Sequence, residues 1–382
     1  MIDALFLQLG RAVSIPLTAI LALREIVIAP KGTSLQMRLG LAWIRLTFNK
    51  GFRSVSWAQF AVNGVNAKAS AIYTTTLPAP PEGVKAREVK LGSAWSKSLA
   101  SSKHGWKWFL VEPSEPLTGT RPFILYNHGG SFVTTFSPLH FKYMYDLCQR
   151  TGATILTADY PRPPAGTSHE ETYAVLTEVV HSLISQPEPA TQNPDEKHIF
   201  DAAQNRTKFV VMGDSAGGSI TMGLCLELVH RGWTSDLPEE AIPIAPAMDS
   251  LFEGADKYDW HDPWLSLPAC WTVAKAWQGP TAAIDHHLVS PGRAADDLVI
   301  GLLKSKTRFT VLHGTADILY PQTEIFIKRA TDLASRAGIT SFEDKVRFIE
   351  GPGMPHVWPL FPPVTPEVKS IRSTIASVVL SE

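Results

Sequence analysis

The segment "GDSAGG" at 213–218 sets a serine among glycines directly after the apolar run "KFVVM". Gly213, Ser215 and Gly217 make G-x-S-x-G, the spacing of a nucleophilic serine held on a sharp strand-to-helix turn. Glycines beside the serine remove the side chains that would collide in such a turn. Asp214 is read as secondary, helping to fix that turn. A serine hydroxyl needs a base to take its proton, and the base needs an acid to orient it. His356 in "GPGMPHVWP" is the candidate base and Asp317 in "HGTADILY" the candidate acid. Both follow late strand-like runs, and the order serine, acid, histidine is one that such triads take. Asp249, after "AIPIAPAM", is a rival acid. Among the other histidines, His313 closes its own strand and reads as structural. His261, His286 and His287 fall in an aromatic-rich stretch and read as surface or pocket residues.

Serine attack on a carbonyl develops an oxyanion, which needs N–H donors aimed at it. "NHGGS" at 127–131 follows the strand-like run "PFILYN", and its glycines let backbone approach a substrate. The expected donors are the N–H groups of Gly129, Gly130 and Ala216. His128 is expected to shape this loop through hydrogen bonds, without acting as a base. Ser131 closes the loop and belongs to the expected pocket wall, together with His128 and Asp214.

These groups act together only if one framework brings them to one edge. Buried strand-like runs at 122–127, 153–160, 208–212, 241–246, 308–314 and 345–351 alternate with helical patterns. The helical patterns lie at 140–152, 171–185, 216–232, 322–337 and 366–380. Two shorter strands are expected at 86–93 and 106–113, and a polar loop before 208. This alternation predicts an α/β protein with a mostly parallel sheet covered by helices on both faces. Ser215, Asp317 and His356 then sit at the carboxyl ends of strands, where ligands of such sheets bind. Two stretches break the rhythm, 1–80 and about 250–305. Both are candidates for a helical cap. The second carries Trp260, Trp264, Trp271 and Trp277, which predicts an apolar pocket with Trp260, Trp264 and Trp271 in its wall.

The chain has 382 residues, 45% hydrophobic and 19% charged, enough to bury a large core. A net charge of −1 gives no reason to expect a nucleic-acid partner. Three cysteines without CxxC spacing argue against a disulfide framework or a zinc knuckle, and no cofactor or metal is expected. The sequon at Asn205 is a single weak match.

Charge is unevenly spread. From Ile26 to Pro81 there is no acidic residue, yet Lys31, Arg38, Arg45, Lys50, Arg53 and Lys68 are present. Ahead of this lies the apolar stretch 4–28, whose uncharged run Ala12–Leu23 is shorter than the ~20 residues a spanning helix needs and contains Pro16. Three readings stay open: an arm packed on the body, a helix on an anionic membrane surface through residues 1–53, or a signal or anchor. A cytoplasmic location, peripheral on an intracellular membrane, is the expectation.

The motifs together resemble the hormone-sensitive-lipase-like family of α/β-hydrolases. They read "HGGS" at 128, "GDSAGG" at 213, "VSP" at 289–291, "GTAD" at 314–317 and "MPH" at 354–356. The resemblance spans about residues 85–380. It implies an α/β-hydrolase domain over 81–382 with a cap insertion at about 250–305, an N-terminal cap or arm over 1–80, and esterase chemistry. Two features depart from the family pattern: Ser131 replaces the last glycine of HGGG, and "ADYPRPPAG" (158–166) replaces DYRLAPE. In both, the chain is similar to fungal members, including steryl-acetyl-hydrolase-like proteins and esterases of secondary-metabolite pathways. The expected function is a serine carboxylic-ester hydrolase or deacetylase acting on a moderately apolar small-molecule ester. An acyltransferase or amidase using the same acyl-enzyme, or a ligand receptor on the same fold, remain alternatives.

Overall fold

A computed structural model describes residues 33–48, 77–92, 95–102, 105–115, 119–163, 169–187, 191, 193–257 and 262–381. Eight strands form one sheet: β1 (Val84–Val89), β2 (Lys107–Pro113), β3 (Arg121–Asn127), β4 (Thr154–Asp159), β5 (Arg206–Asp214), β6 (Glu240–Ile244), β7 (Arg308–Gly314) and β8 (Val346–Gly351). Their spatial order is β1-β2-β4-β3-β5-β6-β7-β8. β2 runs antiparallel to β1 and β4, and β3 to β8 are parallel to one another. The expected mostly parallel sheet is therefore present, with its antiparallel pairing confined to one edge.

Strand periodicity divides the core in two. On β3, Phe123 and Leu125 join one apolar cluster while Ile124 and Tyr126 join the other. Val211 and Val210 divide β5 in the same way. Burial on both faces explains why these strands read as unbroken apolar runs. Helices α3 (Pro138–Thr151) and α11 (Pro366–Leu380) cover one face. Helices α4 (His169–Ile184) and α6 (Ala216–His230) supply much of the other. Two of these helices carry clear end signals. Gly152 ends α3 with φ 66°, and the Thr365 side chain caps α11 by accepting from the Val368 N–H.

The stretch before β5, expected to be a polar loop, contains helix α5 (Pro194–Gln204). Asn193 caps it and Pro194 fills its first position, a start signal that outweighs the polar composition. Ile199, Phe200 and Ala203 give it a buried stripe. The remaining helices are α1 (Leu35–Phe48), α2 (Lys97–Ser101), α7 (Leu267–Gln278), α8 (Asp296–Lys304), α9 (Tyr320–Arg336) and α10 (Phe342–Lys345). α8, within 250–305, packs against α6 and α9 in the layer that covers the sheet. Trp277 on α7 is fully buried and stacks on Phe132, with ring centroids 4.3 Å apart.

Chain order reverses around β3: the chain steps to β4 on one side and to β5 on the other. A crevice opens beyond strand ends at such a switch point. The loops after β3 and β5 are neighbours there, with Asn127 in register with Gly213.

Candidate active site

Ser215 connects β5 directly to α6 with φ 55° and ψ −120°, a backbone conformation that side chains disfavour. The reason for glycine on both sides is close approach of backbone. A Cβ at Gly217 would lie 1.9 Å from the Asn127 carbonyl oxygen, and one at Gly213 would lie 2.4 Å from the same atom. The Ser215 N–H donates to the Ile244 carbonyl at 2.8 Å, which ties the turn to β6.

Ser215 Oγ lies 2.8 Å from His356 Nε2, and His356 Nδ1 lies 2.7 Å from Asp317 Oδ2. With the imidazole neutral, the hydroxyl donates to Nε2 and the Nδ1–H donates to the carboxylate. Asp317 is fully buried, and burial alone would raise its pKa. The neighbouring His356 and His313 outweigh that and hold it well below the usual carboxylate range. Burial lowers the basicity of His356, but the charge of Asp317 and its hydrogen bond reverse the sign and raise it. Asp249 lies elsewhere, in a two-pronged ion pair with Arg293 at 2.7 and 2.9 Å.

The cavity above Ser215 measures about 200 Å³. Gly130, Ser131, Asp214, Trp264 and His356 line it, together with Leu139, His140, Leu265, Val357, Leu360 and Phe361. Trp264 sets its ring edge-on to His356, with centroids 6.2 Å apart. Trp271 is half exposed at 51% and is not a wall residue. Trp260 and His261 lie outside the described residues.

The oxyanion loop differs from expectation at Gly129. Its N–H donates to Asp214 Oδ1 at 3.1 Å and is therefore already engaged. Gly130 and Ser131 line the cavity, and Ala216 starts α6, where helix N–H groups lack internal partners. Gly130 and Ala216 of the expected donors, with Ser131 beside them, remain at the cavity and the helix start. Asp214 does more than fix its own turn. Its Oδ1 also accepts from the Tyr126 hydroxyl at 2.5 Å, and His140 Nε2 lies 3.3 Å from its Oδ2. The carboxylate so joins the serine turn, β3 and α3. His128 is fully buried behind the cavity wall. It lies face to face with Tyr160 at 4.4 Å, and its Nδ1 meets the Gly129 carbonyl at 2.6 Å. Burial pushes its pKa down, so it is a neutral packing and hydrogen-bonding group.

Several site residues escaped the sequence reading. His140 donates from Nε2 to Asp214, because its Nδ1 accepts the Ser137 N–H at 2.9 Å. Asp262 is fully buried and accepts the N–H groups of Trp264, Leu265 and Ile318 at 2.6, 2.7 and 2.8 Å. It ties the cavity wall to the loop of Asp317. Burial and the adjacent Asp317 push its pKa up to about 6. Neither carried a distinctive local signal: Asp262 follows Asp256 and Asp259 in a mixed polar and aromatic stretch.

A strand–serine–helix turn, a buried acid–imidazole–hydroxyl relay and a glycine loop on the neighbouring strand define an α/β-hydrolase architecture. The model of the alpha/beta hydrolase fold family matches residues 124–360, and the chain belongs to that family. The resemblance to its hormone-sensitive-lipase-like members agrees with that match. No curated protein matches the chain. Similar solved structures include a thermostable esterase from Pseudomonas putida, at 18% identity and TM-score 0.65, covering 89% of this chain and 95% of that one. Carboxyl esterase 2 from the mycorrhizal fungus Tuber melanosporum is 19% identical at TM-score 0.62, covering 80% and 89%. A bacterial brefeldin A esterase, described as a homologue of human hormone-sensitive lipase, is 16% identical at TM-score 0.62, covering 86% of each chain. At these identities the likeness is one of fold.

Proposed function

We propose that the chain is a serine carboxylic-ester hydrolase. The observation that carries the reading is the relay of 2.8 and 2.7 Å contacts from Ser215 through His356 to Asp317. Ser215 Oγ attacks the acyl carbon while its proton passes to His356 Nε2. Gly130, Ser131 and Ala216 N–H groups receive the oxyanion. Collapse expels the alkoxide, which takes the proton from His356 and leaves as the alcohol. Water then attacks the acyl-serine, giving its proton to His356, and the carboxylic acid departs as Ser215 regains that proton. Asp317 holds the imidazole tautomer and stabilises its charged form.

The cavity supports a short acyl group. Its volume of about 200 Å³ falls below the roughly 300–1,000 Å³ of drug-sized ligand pockets. Its walls are mainly apolar, which supports an apolar alcohol portion extending outward, as in an acetylated sterol or terpenoid. The departures at Ser131 and 158–166 support the same reading through their similarity to fungal steryl-acetyl-hydrolase-like members. The experiment is a screen of p-nitrophenyl esters from acetyl to dodecanoyl, with acetylated sterols and terpenoids, on wild type and Ser215→Ala. The expected result is highest kcat/KM at acetyl to butyryl, abolished by the substitution. Product analysis with added alcohols and amines separates hydrolysis from acyl transfer and amide cleavage. Absence of turnover on every ester and amide would favour a ligand receptor and overturn the proposal.

We further propose that 1–80 forms a cap or arm that touches a membrane surface, beside a hydrolase body over 81–382 with a cap insertion in 250–305. Helix α1 supports the first part. Met37 and Leu41 are buried on the body, while Leu35 and Leu39 are 63% and 50% exposed. Residues 1–32 and 49–76 lie outside the described residues. No described helix is long and apolar enough to cross a membrane.

A further inference from the structure

A second imidazole meets the acid of the relay. His313, at the end of β7, is fully buried. Its Nε2 lies 2.8 Å from Asp317 Oδ2, the oxygen that also accepts the His356 Nδ1–H. Asp317 is held ionised, so it has no proton to give. The hydrogen between the two groups therefore belongs to His313 Nε2, which is a donor. On the far side of the ring, Nδ1 lies 2.8 Å from Thr323 Oγ1 on α9. The other carboxylate oxygen, Oδ1, accepts the Leu319 N–H at 2.9 Å. Both oxygens of Asp317 are thus held by groups other than His356.

We propose that His313 is a positioning residue for the Ser215–His356–Asp317 relay, locking the Asp317 carboxylate plane and sharing Oδ2 with His356, itself held by Thr323. The inference rests on the esterase reading of the same site. A carboxylate fixed at one oxygen can swing about its Cβ–Cγ bond, and swinging misaligns the imidazole that Ser215 needs. A carboxylate fixed at both presents Oδ2 to His356 in one orientation before substrate arrives. The sharing has an electronic consequence too. A donor to the charged form of an acid stabilises that form. His313 therefore weakens the pull of Oδ2 on the His356 proton and keeps His356 a weaker base than Asp317 alone would make it.

The charged and titratable surroundings are few. Asp317 after β7, Asp262 before α7 and Asp214 at the end of β5 all act on His356. Asp317 and Tyr320 face His313, and the Tyr320 hydroxyl is engaged by Glu350. Replacing His313 changes the donor count on Oδ2 while leaving those carboxylates in place.

The test compares His313→Phe, His313→Gln and Thr323→Val in the full chain. Steady-state kinetics on p-nitrophenyl acetate are measured from pH 5 to 9. The downfield ¹H resonance of the His356 Nδ1–H is recorded alongside. The Phe variant should lower kcat by about tenfold with KM unchanged, the scale of a misaligned relay. The acid limb of its kcat/KM profile should move to higher pH by about half a unit, because His356 becomes more basic. The resonance should shift in the same variant. Glutamine can place an amide N–H near the position of Nε2, and should restore most of each effect. A purely structural role would lower activity without moving the limb or the resonance. A folded Phe variant with both unmoved, or a Gln variant as impaired as Phe, overturns the proposal. If the Phe variant fails to fold, Thr323→Val decides: a smaller shift of the same sign supports the proposal, and no shift overturns it. The resonance requires no turnover. An inactive wild type whose resonance responds to His313 would refute the esterase reading alone. An active wild type whose limb and resonance ignore His313 would refute this inference alone.

Discussion

Replacing Asp317 with asparagine should stop the relay without unfolding the protein. In the wild type both imidazoles meet Oδ2, and the Leu319 N–H meets Oδ1. An asparagine that puts its oxygen at the Oδ2 position turns its amide N–H₂ against the Leu319 N–H, a donor facing a donor. The reversed amide satisfies Leu319 but presents N–H₂ to both imidazoles. His356 must then carry its proton on Nε2, where it can no longer accept one from Ser215. Either orientation also removes the negative charge that stabilises the imidazolium in the transition state. Loss of the acid's charge and tautomer control in such triads costs on the order of 10⁴ in kcat. At 1.36 kcal/mol per tenfold, that is about 5.4 kcal/mol of transition-state stabilisation. The assay is kcat on p-nitrophenyl acetate at the pH plateau, normalised to folded protein by circular dichroism. Asp249→Asn is the control, since Asp249 is committed to Arg293. Its kcat should stay within a few-fold of wild type, with any cost appearing in thermal stability. An Asp317→Asn enzyme within tenfold of wild type, or an Asp249→Asn enzyme that loses more, would refute the reasoning.

Three further outcomes are expected. Because Asp317 raises the pKa of His356 above its ordinary value, the neutral base is lost as pH falls through that raised value, and the acid limb of wild-type kcat/KM should lie above about 6.5; a limb below pH 6 contradicts the electrostatics. Gly217→Ala drives a Cβ against the Asn127 carbonyl oxygen and should destabilise the fold by about 1–3 kcal/mol or more, read as a lowered thermal midpoint; an unchanged midpoint would show that the close approach between β3 and the serine turn is wrong. Co-sedimentation with anionic liposomes should fall steeply between 0.1 and 1 M salt, as the Debye length shrinks from ~10 to ~3 Å; binding equal on neutral and anionic lipid, unmoved by salt, would refute the electrostatic contact.

What the sequence revealed follows from the range of each signal. The serine turn depends on glycines two residues away on either side, so residues 213–217 show it locally. The parallel strands show as apolar runs because both faces of the sheet are buried. Helix α5 was hidden by a polar composition, although Asn193-Pro194 marked its start. The roles of Asp262 and His140 could not be read. Asp262 meets Ile318, and His140 meets Asp214, only after the sheet aligns its strand ends. The Gly129 donor expectation failed for the same reason, since the Asp214 carboxylate that engages it is distant in sequence. Trp271 was misplaced because composition indicates an aromatic cap without saying which face of α7 each ring occupies.

The proposed hydrolase stands on Ser215 as the nucleophile that His356 and Asp317 activate. A fluorophosphonate probe reacts covalently with such a serine, so labelling wild type and Ser215→Ala and mapping the modified peptide by mass spectrometry tests it directly. The expected result is one label per chain, on Ser215, with ester turnover lost in step with labelling, and no label on the alanine variant. A label on another serine, or full ester turnover by Ser215→Ala, would contradict it.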